Sequence, residues 1–284
     1  MSAHSSTRSE DRSTTRWLVT GPPFLFLLVF FLVPSLIMVA ASFRYPGEFG
    51  ALAPIFGAQP GEDAGLTVEN YRVFFSDPIY FQIFVKSFGV AALTTLACLV
   101  LAYPVALLIA RSPKRHRDLM VLLCVLPFAS NFLVRVYAWM IILGPMDLLF
   151  SRFAVIVGMV YVHLPFMILP LYTNLEKHDP ALLDAAQDLG ANAWDRFWRV
   201  TFPLSLPGIF SGSALVFIPV LGMFAIPDIL GGTGDMLIGN LIKESFLGTR
   251  DWPFGSMLSL MLTIAVLAIA AGAAWLAKRG VDRA

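Results

Sequence analysis

The sequence predicts an all-α membrane protein with six transmembrane helices. The first sign is composition: 57% of residues are hydrophobic and 14% charged, with a mean hydropathy of +0.74. A soluble domain carries about 25% charged residues. The second is where the charges fall. Windows 17–43, 87–110, 153–175, 200–227 and 252–277 contain no Asp, Glu, Lys or Arg, and window 119–146 contains only Arg135. A hydrocarbon layer of about 30 Å is crossed by roughly 20 apolar residues in a helix. Inside lipid the backbone must satisfy its own hydrogen bonds, so each window is read as a helix. Helices buried in a soluble bundle would be shorter and amphipathic, and these are neither. Gly, Pro and Cys are too few for a collagen, a disordered tail or a disulfide scaffold. A net charge of +1 gives no field that would attract nucleic acid.

Orientation is read from Lys and Arg. Arg8, Arg12 and Arg16, then Arg111, Lys114, Arg115 and Arg117, fall on one side. Lys177, Arg196 and Arg199, with Lys278, Arg279 and Arg283, join them there. Arg44, Arg72, Arg152, Lys243 and Arg250 fall on the other. Both termini are therefore expected in the cytoplasm. This gives a cytoplasmic tail 1–16, a first helix with a long extracytoplasmic loop over 17–83, a five-helix core over 84–277, and a tail 278–284. The long loop carries Glu62, Asp63, Glu69 and Asp77.

Each window has its own features. In the first, Val39-Ala40-Ala41 suits a cleavage site, but the apolar run far exceeds the roughly 7–15 residues of a signal core and reads as an anchor. Lys86, at the outer start of the second, is expected to reach headgroups. Arg135 in the third is costly in lipid, so it either faces a pathway or the bundle, or anchors at an interface. Tyr137 and Trp139 beside it suit an interface belt or an outer pathway. His163 in the fourth is expected to hydrogen-bond within the bundle; the other histidines, His4, His116 and His178, form no metal cluster. Gly208-x-x-x-Gly212 in the fifth permits close helix approach, within the chain or against a second subunit. Cys98 and Cys124 read as apolar fillers.

Residues 174–203 form a loop that looks folded. Asp179-Pro180 starts a helix, and Gly190 supplies a left-handed stop. Asn192 caps a second short helix, Ala193 to Val200, which Pro203 is expected to end. Leu182, Ala185, Ala186 and Leu189 share one face. Such an elbow is either a membrane-hugging connector or a docking element.

Asp184-Ala185-Ala186, Gly190 after three residues, and Val200-Thr201-Phe202-Pro203 after nine more resemble the E-A-A-x3-G-x9-I-x-L-P loop of ABC-importer membrane subunits. The departures are Asp at 184, Val at 200 and Phe at 202. Further segments are similar to spermidine/putrescine-type permeases. They are Leu66 to Tyr71, Tyr103-Pro104, Leu133 to Trp139, Leu164-Pro165-Phe166, Phe217 to Gly232 and Arg250 to Gly255. Met223 stands where such permeases often carry an acidic residue, and the stretch Gly144 to Phe153 is shorter than usual.

The resemblance implies a type I ABC importer permease fold in a bacterial inner membrane, and the transport of polyamines or a related small cationic solute. It implies a cytoplasmic ABC ATPase dimer, a second homologous permease and an extracytoplasmic solute-binding protein as partners, besides membrane lipid. No G-x-x-x-x-G-K-[ST] run is present, so ATP and Mg would bind the partner ATPase and this chain would be no enzyme. Asp184, Ala185, Ala186, Gly190 and Pro203 would form the coupling loop. Pro203, Pro207 and Pro219 could bend the adjoining helices. Arg135, Tyr137, Trp139, Pro219, Met223 and Asp228 are the candidates for a substrate path or gate. With Asp147, Glu244 and Asp251, Asp228 would make an acidic mouth. Rival functions are a permease for another small solute, an intramembrane enzyme built on Ser211 or Ser213 with His163, and a self-contained carrier.

Overall fold

A computed structural model describes residues 20–47, 50–55 and 65–281, with backbone only over 273–281. The charged tails 1–16 and 282–284, and Glu62 and Asp63, lie outside the described residues. Among the described residues the structure is helical, with two isolated β-bridges, Arg44 to Leu66 and Pro46 to Leu52. Five helices are long and apolar enough to cross a membrane, and a bent pair makes a sixth span when counted as one.

The chain divides into two units, 1–73 with 244–265, and 74–243 with 266–284. In the first, α1 (Thr20–Ser42) is followed by a return onto its own end. Asn70 Nδ2 donates to the Ser42 and Arg44 carbonyls at 3.0 Å each. Tyr71 stacks on Phe43 at 5.1 Å and shares a 2.8 Å hydrogen bond with Ser42. These contacts give the Leu66–Tyr71 segment its physical purpose. It fixes the start of α2 (Glu69–Ser76) against the end of α1. The Arg250–Gly255 segment launches α11 (Trp252–Val281): Asp251 Oδ1 accepts from the Phe254 N–H at 3.0 Å.

The second unit is built on three long helices. They are α3 (Pro78–Arg111), α6 (Arg152–Leu175) and α8 (Ala193–Leu221), which pack mutually more extensively than any other elements. Small residues make this possible. Ala91, Cys98, Ala102 and Ala106 recur on the buried stripe of α3. A Cβ on Gly208 would meet Asn174 Cβ at 2.8 Å, and one on Gly212 would meet Met167 Sδ at 2.7 Å. The two glycines therefore serve α6–α8 packing within the chain.

Two expectations need correction. The third window is not one straight helix: α4 (Lys114–Val125) continues in a tighter turn to Ala129 and meets α5 (Phe132–Leu143) at 91°. Pro127 opens that tighter turn, Ser130 is extended, and Asn131 caps α5 by accepting from the Leu133 N–H at 2.8 Å. A cap restarts the helix in a new direction. Second, Pro203 does not end a short helix. α8 runs unbroken from Ala193 through Pro203. Phe197–Thr201 form a wider turn in which the Phe202 N–H reaches the Phe197 carbonyl. Such a turn relieves the clash a proline makes with the preceding turn of a regular helix.

Candidate functional site: an exposed elbow and a pinned helix pair

The elbow is assembled by short-range hydrogen bonds. Asp179 Oδ1 accepts from the Ala181 N–H at 3.0 Å and starts α7 (Ala181–Asp188). At its far end the Ala191 N–H donates to the Ala186 carbonyl at 3.0 Å and the Gly190 N–H to Gln187 at 2.9 Å. This is the six-to-one, five-to-two closure that requires a left-handed residue, and Gly190 has φ +81°. Asn192 Oδ1 then accepts from the Asp195 N–H at 2.9 Å and starts α8. The elbow is therefore joined without a break to a membrane-spanning helix. Its small-residue face is open: Leu189 is 89% exposed, Leu182 is half-exposed, and Ala185 is exposed. Asp184 points its carboxylate at no partner among the described residues. The elbow is tied back to the bundle by Arg117 with Glu176, and by His178 Nε2 with the Leu204 carbonyl at 3.1 Å. Tyr172 and Arg117 hold the Glu176 carboxyl below its ordinary range.

At the opposite end lie α9 (Ala225–Leu230) and α10 (Ile238–Lys243). α9 packs against α5 and α6, which brings the helix of Asp228 beside the one carrying Arg135, Tyr137 and Trp139. What fixes this pair is a set of side-chain ties that spacing does not reveal. Asn240 Nδ2 donates to the Phe224 carbonyl at 3.1 Å and to Asp228 Oδ1 at 2.5 Å. Its Oδ1 accepts from the Leu237 N–H at 3.2 Å. Lys243 Nζ reaches Asp228 Oδ2 at 2.8 Å. Asp228 is thus neutralised locally and is no free carboxylate of an acidic mouth. Lys86 does not reach outward: its Nζ donates to the Gly234 carbonyl at 2.5 Å and faces Asp235 at 3.4 Å. Arg152 also meets Asp235, at 3.0 Å. The Asp235 side chain is only 12% exposed, so it is a hub between the start of α6, α3 and the loop before α10. Asp235→Asn is expected to lower stability by about 1–3 kcal/mol, since charge-assisted hydrogen bonds are lost and two cations are left adjacent. Thermal unfolding in detergent measures it. Nothing in the sequence marked Asp235 or Asn240, because their partners are distant along the chain.

The remaining candidates are placed as follows. The Arg135 guanidinium carbon lies 5.8 Å from the Phe128 ring centre across the 91° bend, with Nε and Nη1 buried and without hydrogen-bond partners. Trp139 packs edge-on against Tyr161 of α6 at 5.6 Å, while Tyr137 is half-exposed. Pro219 lies inside the last turn of α8, and Met223 in the break before α9. His163 Nδ1 pairs with the Met159 carbonyl at 2.8 Å, within its own helix. Ser211 donates to the carbonyls of Pro207 and Gly208. Neither arrangement is a nucleophile with its base.

Among the described residues the chain is helical, with several apolar spans and an exposed elbow on one of them, an arrangement that suits a membrane permease subunit. Residues 102–283 match the family described as the binding-protein-dependent transport system inner membrane component. The chain is 40% identical over 260 residues to the spermidine/putrescine transport system permease protein PotB of Haemophilus influenzae, covering 85% of this chain and 86% of that one. It is 38% identical to PotB of Escherichia coli K12 over 274 residues, covering 90% and 95%. The structure also resembles a chain of a bacterial ABC transporter that imports the acidic polysaccharide alginate. The TM-score is 0.68 at 16% identity, covering 96% of this chain and 99% of that one, and this likeness concerns the fold. The chain belongs to the family of inner-membrane components of binding-protein-dependent transport systems. It is an ABC-importer permease subunit rather than an enzyme, and permeases of this family work with an ATPase and a solute-binding protein.

Proposed function

We propose that the chain is one half of the translocation path of an importer for spermidine, putrescine or a related small cation. In this reading both termini and the elbow are cytoplasmic. An ATPase dimer binds ATP and Mg, a second homologous permease supplies the other half, and no cofactor binds this chain. The observation that carries the reading is the elbow itself. Leu182, Ala185 and Leu189 on its face are exposed, with Ala186 partly covered, and Gly190 joins it to α8. A rigid elbow on a spanning helix suits the transfer of ATPase closure into rocking of the bundle. Asp184, Ala185, Ala186, Gly190 and Pro203 would carry the docking and the transfer. Arg135, Tyr137, Trp139, Pro219, Met223 and Asp228 would line or gate the path, Asp228 through its effect on α9 and α10.

The test is co-purification with the neighbouring gene products, followed by ATP hydrolysis and spermidine uptake in proteoliposomes. A stable ATPase complex with polyamine-dependent turnover is expected; a folded chain that never recruits an ATPase would refute the reading. Asp184→Lys is expected to reduce transport per ATP by about tenfold, a coupling loss near 1.4 kcal/mol, while insertion is unchanged. The Asp228–Lys243 pair and Met223 favour a second reading, a permease for a solute that is not cationic. Uptake of the neighbouring binding protein's preferred ligand, rather than of spermidine, would establish it.

A further inference from the structure

Behind the elbow lies a crevice of two adjoining cavities, about 450 and 380 Å³, which share Leu107, Arg111, Pro180, Leu183 and Thr201. It lies where three apolar windows end. Arg111 directly follows window 87–110, Glu176 follows 153–175, and Val200 opens 200–227. The crevice is therefore at the depth of the headgroup layer on the elbow's end of the bundle.

Its polar groups are unevenly used. Arg117 pairs with Glu176, Asp179 starts α7, and Arg196 donates to Gln187 at 2.6 Å. Arg111 and Asp184 have no hydrogen bond or ion pair among the described residues. Thr201 is 4% exposed, lines both cavities, and its Oγ1 has no hydrogen-bond partner. A buried hydroxyl in a folded protein ordinarily has one. Thr201 is the last residue of the wide turn, and its oxygen is buried rather than open to the crevice. The formal charges of the lining cancel, with Arg111, Arg117 and Arg196 against Glu176, Asp179 and Asp184. The lining is otherwise largely apolar.

We infer that this crevice holds the headgroup of a zwitterionic phospholipid with a primary amine. The phosphate would be bound by Arg111, and the ammonium would face Asp184. A balanced lining disfavours a net-anionic lipid, because every added anion meets as many carboxylates as guanidinium groups. The lipid's glycerol end would lie on Leu107 and Leu204. The site shares Asp184 with the proposed docking surface, but lipid retention is read on the chain without an ATPase, so it can fail while the importer reading stands.

The test uses the full-length chain purified in mild detergent, with bound lipid measured by native mass spectrometry after exchange in nanodiscs of defined composition. Phosphatidylethanolamine is expected to be retained severalfold over phosphatidylglycerol. Arg111→Gln and Asp184→Asn are each expected to remove most of that preference, and Arg111→Lys to keep much of it. Size-exclusion profiles identify any variant that has not folded. Equal retention of the two lipids, or a preference unchanged in both Arg111→Gln and Asp184→Asn, would overturn the site. Displacement of the lipid by inorganic phosphate or free phosphoethanolamine would assign the pocket to a soluble phosphate and overturn the lipid as its occupant.

Discussion

Gly190→Val is expected to abolish productive coupling to an ATPase while leaving the chain in the membrane. At φ +81° a β-branched residue carries strain of about 1–3 kcal/mol. The cause is backbone alone, because an added Cβ would meet nothing within 4 Å. The strain is relieved by opening the turn, which breaks the closures from Ala191 to Ala186 and from Gly190 to Gln187. α7 then loses its fixed angle to α8. Gly190→Asn is the informative control, since asparagine tolerates the left-handed region, and most coupling is expected to survive in it. ATP hydrolysis and uptake in proteoliposomes read the effect. Equal damage by Val and Asn would mean that side-chain bulk at an interface, not turn geometry, is at stake.

Gly239→Ala is expected to be strongly damaging at the other end. An added Cβ would lie 2.7 Å from the carbonyl oxygens of both Gly222 and Met223. These are backbone atoms, so no side chain can rotate away. Overpacking of this kind costs about 1–3 kcal/mol. The displacement falls on the break between α8 and α9, where Met223 sits, and on the neighbouring Asn240 ties to Phe224 and Asp228. A lowered thermal midpoint together with altered uptake is expected. Gly234→Ala in the loop before α10 meets nothing within 4 Å and should be nearly neutral, which separates packing from loss of glycine as such.

The elbow was legible because its determinants are local. Asp179, Gly190 and Asn192 each act on backbone groups within three or four residues, so their roles can be read from spacing. Pro203 was misread because a proline normally stops a helix, and the wide turn before it depends on how α8 seats in the bundle. The third span was legible as an apolar window but not as a bent pair: composition counts residues and is blind to direction. Lys86 and Asp228 look like free surface charges in a linear reading. Their partners, Asp235 and Lys243, were visible as residues but not as neighbours.

By itself the sequence determined that the chain lives in lipid, roughly where it crosses, and which loop is folded. Those properties follow from transfer energies and hydrogen bonds that each segment satisfies alone. Tertiary structure decided the rest. It set Gly208 and Gly212 against α6, turned Arg135 toward Phe128 across a bend, and locked α9 to α10 through Asn240. It also left Thr201 buried and unpaired behind the elbow. Each of these depends on which distant segments come within a few ångströms, and that distance is a property of the packed bundle.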